Sequence, residues 1–144
     1  MHQTICINTP EQNGIFERKN RHILEVTRSL LFQTNVPKRF WSEAVLTAVH
    51  IINRLPSTVL KNKSPLEILY KQKMNFDHLR VFGCKCFVRI KRKDKFDYMS
   101  TKAIFLGYSS YKKGYKCYDP INKKNLFLEM LYFVKMNHIL KGMR

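Results

Sequence analysis

The chain reads as an α+β protein, helical in its first half and built of short antiparallel strands in its second. Three observations predict this. Through the first half the apolar residues recur every three or four positions, the period of an amphipathic helix. From Arg80 the period falls to two, with Phe82, Cys84, Cys86, Val88 and Ile90 on one side and Lys85, Arg89 and Lys91 on the other, as in a half-buried strand. Beyond that, Gly107, Gly114 and Asp119-Pro120-Ile121-Asn122 punctuate the sequence at the spacing of short strands.

In order along the chain, His2 to Asn8 alternates as a short strand, with Ile5 and Ile7 on one side and Cys6 on the other. A single strand has no independent stability. Thr9-Pro10-Glu11-Gln12 has the makings of a capping box, with Thr9 as N-cap and Pro10 at the first helical position. Asn13-Gly14 permits a tight reversal, so the expectation is a brief turn followed by a main helix from about residue 14 to 33, carrying Glu17 in its first turns. Phe16, Ile23, Val26, Thr27, Leu30 and Leu31 give that helix an apolar stripe, which must bury against something.

Asn35-Val36-Pro37 ends the helix, and Pro37 opens a second one in which Phe40, Trp41, Ala44, Val45, Ala48, Val49, Ile52 and Leu55 recur at threes and fours until Pro56 stops it. At this spacing Trp41 reads as a packing residue rather than a base-stacking one, and His50 as structural or surface. Ser64-Pro65-Leu66-Glu67 is a second capping box and starts a short helix to about Lys71. After the strand from Arg80, further strands are expected at 101–108, 115–118 and 126–134. Four or five short strands with aromatic faces suggest a small barrel.

A length of 144 residues allows one ordinary domain or two small ones, and 44% hydrophobic content is enough for a core. Charge is the larger signal: 27 basic against 10 acidic residues leave a net charge of +17, which implies a polyanionic partner. Residues 81–144 hold 15 of the basic residues and 4 of the acidic ones, so the excess is concentrated there. Lys91-Arg92-Lys93-Asp94-Lys95, with Lys112, Lys113 and Lys116 near the next turn, makes a candidate phosphate-contacting or nuclear-import surface. Tyr108, Tyr111 and Tyr115 interleave with these bases as stacking candidates, with packing the expectation for at least two.

Met1-His2-Gln3-Thr4 does not open a secretory signal, and the apolar tract around residues 44–52 is too short to cross a bilayer. The expected location is intracellular and nuclear, with no membrane and no small-molecule substrate. Cys6, Cys84, Cys86 and Cys117 lack the density of a disulfide framework and the spacing of a zinc knuckle, and read as reduced and mostly buried.

The segment Thr9 to Arg21 closely resembles the catalytic-glutamate motif of integrases from Copia-type retrotransposons. The likeness continues through Pro37, Phe40-Trp41, Glu43-Ala44, Asn53-Arg54, Pro56, Ser64-Pro65, Glu67, Leu79-Arg80-Val81-Phe82-Gly83-Cys84, Ile104-Phe105-Leu106-Gly107-Tyr108 and Gly114-Tyr115, then Tyr118-Asp119-Pro120. Two departures stand out: Met74 where the family has proline, and a basic rather than acidic stretch after Val134. The resemblance implies the C-terminal helices of an RNase H-like integrase core over residues 1–76, an SH3-like barrel over 77–136 and a basic tail over 137–144.

It further implies that Glu17 is the third acid of an Asp-Asp-Glu set that holds two magnesium ions for phosphoryl transfer. Gln12, Asn13, Arg18, Lys19 and Arg21 then resemble the family's DNA-end contacts, with Lys91, Arg92, Lys93 and Lys95 as a second DNA-binding group. The two aspartates of the set lie upstream of the motif, and Asp77, Asp94, Asp97 and Asp119 all lie downstream of it. The expectation is therefore an integrase fragment that is inactive alone and holds no magnesium alone. Its expected partners are DNA and either other integrase protomers or the rest of a Pol polyprotein. The bland reading of Glu17 is a helical ion pair with Arg21, worth roughly 0.2–0.5 kcal/mol. The alternative for the whole chain is a non-enzymatic, basic nucleic-acid-binding module, retained by a host or left as a relic.

Overall fold

The computed structural model describes residues 10–89, 94–96, 98, 100–109 and 114–128, with backbone alone for residues 10–13, 127 and 128. The strand expected at residues 2–8, the Thr9 cap, the bases Lys91, Arg92 and Lys93, and everything after residue 128, the basic tail included, lie outside the described residues.

Helix α1 runs without interruption over Pro10–Thr34. The turn expected at Asn13-Gly14 is not formed. Pro10 sits at the start, where its missing N–H leaves no helical bond unmade, and the one interior glycine costs only about 1 kcal/mol relative to alanine. A helix of 25 residues absorbs that cost, and Glu17 lies in its third turn, further from the helix start than a helix beginning at residue 14 would place it. Past Thr34 the chain reverses through Asn35 at a φ of 52°.

Pro37 leads into a single 3-10 turn, Lys38–Phe40, and then into α2, Trp41–Ile52. The helix ends short of Pro56. Proline has no N–H for the Ile52 carbonyl, and the last turn loosens, with Arg54 N–H donating to the Ile51 carbonyl at 2.9 Å. The Asn53 carbonyl instead accepts from Leu66 N–H at 3.1 Å, tying α2 to α3, Pro65–Tyr70. That short helix starts as its sequence requires: Ser64 N–H donates to Glu67 Oε2 at 2.9 Å and Glu67 N–H to Ser64 Oγ at 3.2 Å. Glu67 Oε1 also accepts from Met74 N–H at 3.3 Å, which holds the chain leaving the helix.

The strands β1 (Lys85–Arg89), β2 (Ser100–Tyr108), β3 (Tyr115–Asp119) and β4 (Lys124–Leu128) form one antiparallel sheet in sequential order. Among the described residues β1 and β4 do not pair with each other, so this is an open four-stranded sheet and not the closed barrel expected. The tight turn into β4 is held by Asp119, whose Oδ1 accepts from the backbone N–H of Ile121 and Asn122 at 2.9 and 3.1 Å. Its Oδ2 accepts from Asn122 Nδ2 at 2.9 Å and Thr101 Oγ1 at 3.2 Å. These bonds, the Asn122 side chain's first, hold the Asp119 carboxyl below the usual carboxylate range.

The sheet uses both faces. One packs on the helices: Val36, Phe40, Ala44, Phe82, Leu106 and Tyr118 form a core with Leu30, Leu31 and Ile104 against it. The other gathers Cys84, Cys86, Val88, Ala103, Phe105 and Cys117 into a second core. Phe82 thus faces away from Cys84, although a period of two puts them together. Gly83, at a φ of 74°, turns the chain between them, and a Cβ there would lie 2.6 Å from that of Thr34. Cys84, Cys86 and Cys117 are free thiols and buried.

Gly107 admits α2 in the same way. It lies inside β2, beside a register shift against β3, at a φ of 136°. A Cβ there would stand 2.5 Å from Thr47 Oγ1 on α2. The missing side chain lets the helix approach until Thr47 Oγ1 donates to the Leu106 carbonyl at 3.3 Å. Lys116 Nζ and Glu43 Oε1, 2.6 Å apart, pin the same helix to β3. Burial works to raise the Glu43 carboxyl, but the bonds from Lys116 and Ser42 outweigh it and hold it below the ordinary range.

The helical stripes are covered only in part. Thr27, Ala44, Ala48 and Ile52 are buried, whereas Phe16 and Leu55 stay exposed, as do Ile15, Leu24, Phe32 and Leu46 off the stripes. Trp41 is 61% exposed, against the packing role expected, because Phe40 and Ala44 take the core-facing positions on either side of it.

Candidate nucleic-acid interface

In the first half of α1 the residues from Ile15 to His22 are exposed, the polar ones among them facing solvent. Glu17, Arg18, Lys19 and Arg21 are all exposed. Gln12 and Asn13 lie in the opening turns of the same helix rather than in a loop ahead of it. Arg18 folds back along the helix, its Nε donating to the Gly14 carbonyl at 3.1 Å. Glu17 and Arg21 form no ion pair, since Lys116 with Glu43 is the salt bridge found among the described residues. Holding two long exposed side chains in one geometry costs side-chain entropy that water-screened attraction barely offsets.

Glu17 does not make a metal site with its neighbours. Among the described residues no group of three or more His, Cys, Asp or Glu side chains is placed to hold a metal ion. Magnesium requires several oxygen ligands in near-octahedral array, and one solvated carboxylate does not supply them. The residues present therefore do not fit a metal pair by themselves.

Of the second basic group, Lys95 is described and exposed. Lys91, Arg92 and Lys93 lie outside the described residues, as do Tyr111, Lys112 and Lys113. Tyr108 and Tyr115 are engaged in packing. The Tyr108 hydroxyl accepts from Arg80 N–H at 2.8 Å, and Tyr115 donates to the His78 carbonyl at 3.1 Å. The two phenols clamp the chain between α3 and β1 onto the sheet.

That clamp brings together residues that periodicity left scattered. His50 lies flat on Tyr108, ring centroids 3.8 Å apart and planes within 8°. His78 stands edge-on to both rings, at 5.9 and 6.0 Å. Arg54, one turn beyond His50, donates from Nη1 to the His50 carbonyl at 3.0 Å. Burial first, then the charges of Arg54 and His78, push the His50 imidazole down to about 4. The signal in the sequence was the i, i+4 spacing of His50 and Arg54 on one helix face. What it meets comes from residues 78–80 and 108, which no local pattern connects to it.

The sequence comparisons agree with this architecture. Residues 84–135 match the retroviral polymerase SH3-like domain family. Over 125 residues the chain is 40% identical to the retrovirus-related Pol polyprotein from transposon TNT 1-94 of Nicotiana tabacum, a stretch covering 85% of this chain and 9% of that polyprotein. The Pol polyproteins from transposons RE1 and RE2 of Arabidopsis thaliana are 43% and 42% identical over 118 residues, 81% of this chain and 8% of each. The chain thus spans about a tenth of the length of these curated relatives. No solved structure matches it. With an SH3-like domain at its end and some 40% identity along most of its length, the chain belongs to the retrovirus-related Pol polyproteins of Copia-type retrotransposons and corresponds to one short stretch of them.

Proposed function

We propose that this stretch is the closing part of the polyprotein's integrase: the last helices of an RNase H-like core followed by its SH3-like domain, acting on DNA in the nucleus. The observation that carries the reading is the exposed, unpaired carboxylate of Glu17 on α1, beside the exposed cations Arg18, Lys19 and Arg21. A carboxylate among bases on a solvent-facing helix suits a surface that brings a metal ion up to a phosphate backbone. Glu17 acts there as the third acid only in company with aspartates from outside these residues, and magnesium belongs to that completed site. Gln12, Asn13, Arg18, Lys19 and Arg21 hold the DNA end, and Lys91, Arg92, Lys93 and Lys95 hold the backbone elsewhere. Other integrase protomers or the remainder of the polyprotein supply what Glu17 lacks. A net charge of +17 supports the choice of partner.

Two measurements test this. The affinity of the 144-residue chain for a short duplex should fall steeply with salt. Replacing Arg18, Lys19 and Arg21 by glutamine should flatten the slope of log affinity on log salt by about 0.9 for each phosphate contact removed. The isolated chain should not join DNA ends in magnesium, whereas a polyprotein segment extended upstream should, and Glu17→Gln in that segment should abolish joining. Salt-insensitive binding would overturn the nucleic-acid reading. Magnesium-dependent joining by the isolated chain would overturn the assignment of Glu17 to an incomplete set. Binding without joining by the extended segment would leave the non-enzymatic basic module as the function.

A further inference from the structure

Where the end of α2 meets α3, the 77–80 segment and the β2–β3 pair, the structure holds a junction rich in cations. Arg54 is partly buried there, and its Nε is shut off from solvent with no hydrogen-bond partner. The Nε2 of His50, in the same junction, is also buried without a partner. The Nη1 of Arg54 donates to a carbonyl of its own helix, which leaves the charge unanswered. The salt bridge found among the described residues, Lys116 with Glu43, is elsewhere.

The surroundings offer little compensation. The groups that act on Arg54 are the phenols Tyr70 of α3 and Tyr108 of β2, and the Tyr115 ring of β3 lies 6.0 Å from that of Tyr108. Asp77 is the acid whose charge reaches His78, and there it acts against those of Arg54 and Arg80. The Arg80 guanidinium bonds the backbone carbonyls of Asp77 and Leu79. A half-buried guanidinium without a counter-ion is costly, and an unsatisfied buried donor adds to that cost. The fold retains both, which points to a negative charge supplied from outside.

We propose that this junction is a phosphate-accepting site, in which Arg54 carries the standing charge and the imidazoles of His50 and His78 complete the set of donors. Arg54 and His78, both partly exposed, form its rim. With Nη1 held by the His50 carbonyl and Nε shut off from solvent, Nη2 is the guanidinium nitrogen left to meet a phosphate oxygen first. When the anion arrives it reverses the balance that keeps the two imidazoles neutral, so binding takes up protons. For the source of the phosphate the proposal rests on the nucleic-acid reading above, since a phosphodiester and free inorganic phosphate share this chemistry. The site adds a contact made by residues at the end of α2 and in the 77–80 segment, none of them among the α1 residues around Glu17.

The test follows the histidine rings of the full chain by nuclear magnetic resonance across pH, in chloride, inorganic phosphate, acetate and a short DNA duplex at matched ionic strength. The titration midpoints of His50 and His78 should rise by about one unit or more in phosphate or duplex, as a neighbouring opposite charge requires. His22, exposed on α1, is the internal reference in the phosphate arm. Arg54→Gln should remove the rise; if that variant fails to fold, the unaltered chain still decides. A rise with phosphate and duplex alike supports the site with either source, and a rise with duplex alone supports a backbone phosphate. Midpoints that move in neither, or as far in acetate or chloride, overturn it. The readout is independent of the salt slope set by Arg18, Lys19 and Arg21 and of end joining, so either proposal can fail without the other.

Discussion

His50 shows how far one side chain's chemistry can depart from what its neighbours in sequence suggest. Among apolar residues on α2 it reads as a bystander, yet its ring is stacked on Tyr108 from a distant strand and sits beside Arg54. Burial first, then the charges of Arg54 and His78, favour the neutral ring, and its folded-state value of about 4 lies below the 6.5 expected of an unfolded chain. Above pH 6.5 the ring is neutral in both states and its contribution to stability is complete. As pH falls from 6.5 toward 4, only the unfolded chain takes up the proton, and stability is lost across that window. In phosphate-free buffer the urea midpoint should therefore drop between pH 6.5 and 4, and His50→Gln should flatten that dependence. An unchanged pH dependence in the variant would show that the ring does not hold the value its burial and neighbours dictate. Glu43 and Asp119, both held low, contribute fully above their ordinary values of 4.5 and 3.8 and lose that contribution as pH falls from there through their depressed ones, so Glu43 adds to the loss at the acid end of this window.

At the level of elements, the helices and strands were legible wherever a single local rule governs them. The Ser64 to Glu67 capping box, the alternation of Cys84, Cys86 and Val88 against Lys85 and Arg89, and the Asp119 turn each follow from a few adjacent residues. The failures came where a local signal met a longer-range one. Asn13-Gly14 is a strong turn pair, but a helix from Pro10 to Thr34 overrides it. Gly14 then has helical neighbours on both sides, and a methyl group at its Cα would meet nothing within 4 Å, so a side chain is sterically free. Gly14→Ala should stabilise the chain by roughly 0.5–1 kcal/mol, through helix propensity alone. Destabilisation on denaturant titration would mean that the chain turns at Asn13-Gly14 as its sequence first suggests. The α1 face was legible in its residue types but not in its contacts: Glu17 and Arg21 stand at ion-pair spacing and do not pair.

Over the whole molecule, the two halves that periodicity separates near residue 77 share one core, with Phe40 and Ala44 from the helices packed among Phe82, Leu106 and Tyr118. Local patterns supplied each half's apolar face but not the pairing of those faces, because the close approach depends on two glycines far from the residues they admit. Gly107 is the sharper case. Its φ of 136° disfavours any side chain, and a Cβ would stand 2.5 Å from Thr47 Oγ1 across the interface. Gly107→Ala must push α2 away, disturb the bond from Thr47 to the Leu106 carbonyl and strain β2, at a combined cost of about 1–3 kcal/mol. The far-ultraviolet helix signal and the near-ultraviolet signal of Tyr108 and Tyr118 on the sheet should then fall together, in one transition shifted to lower denaturant. If the substitution moved the tyrosine signal and left the helical one in place, α2 and the sheet would be separate folding units, and the shared core would not be what joins them.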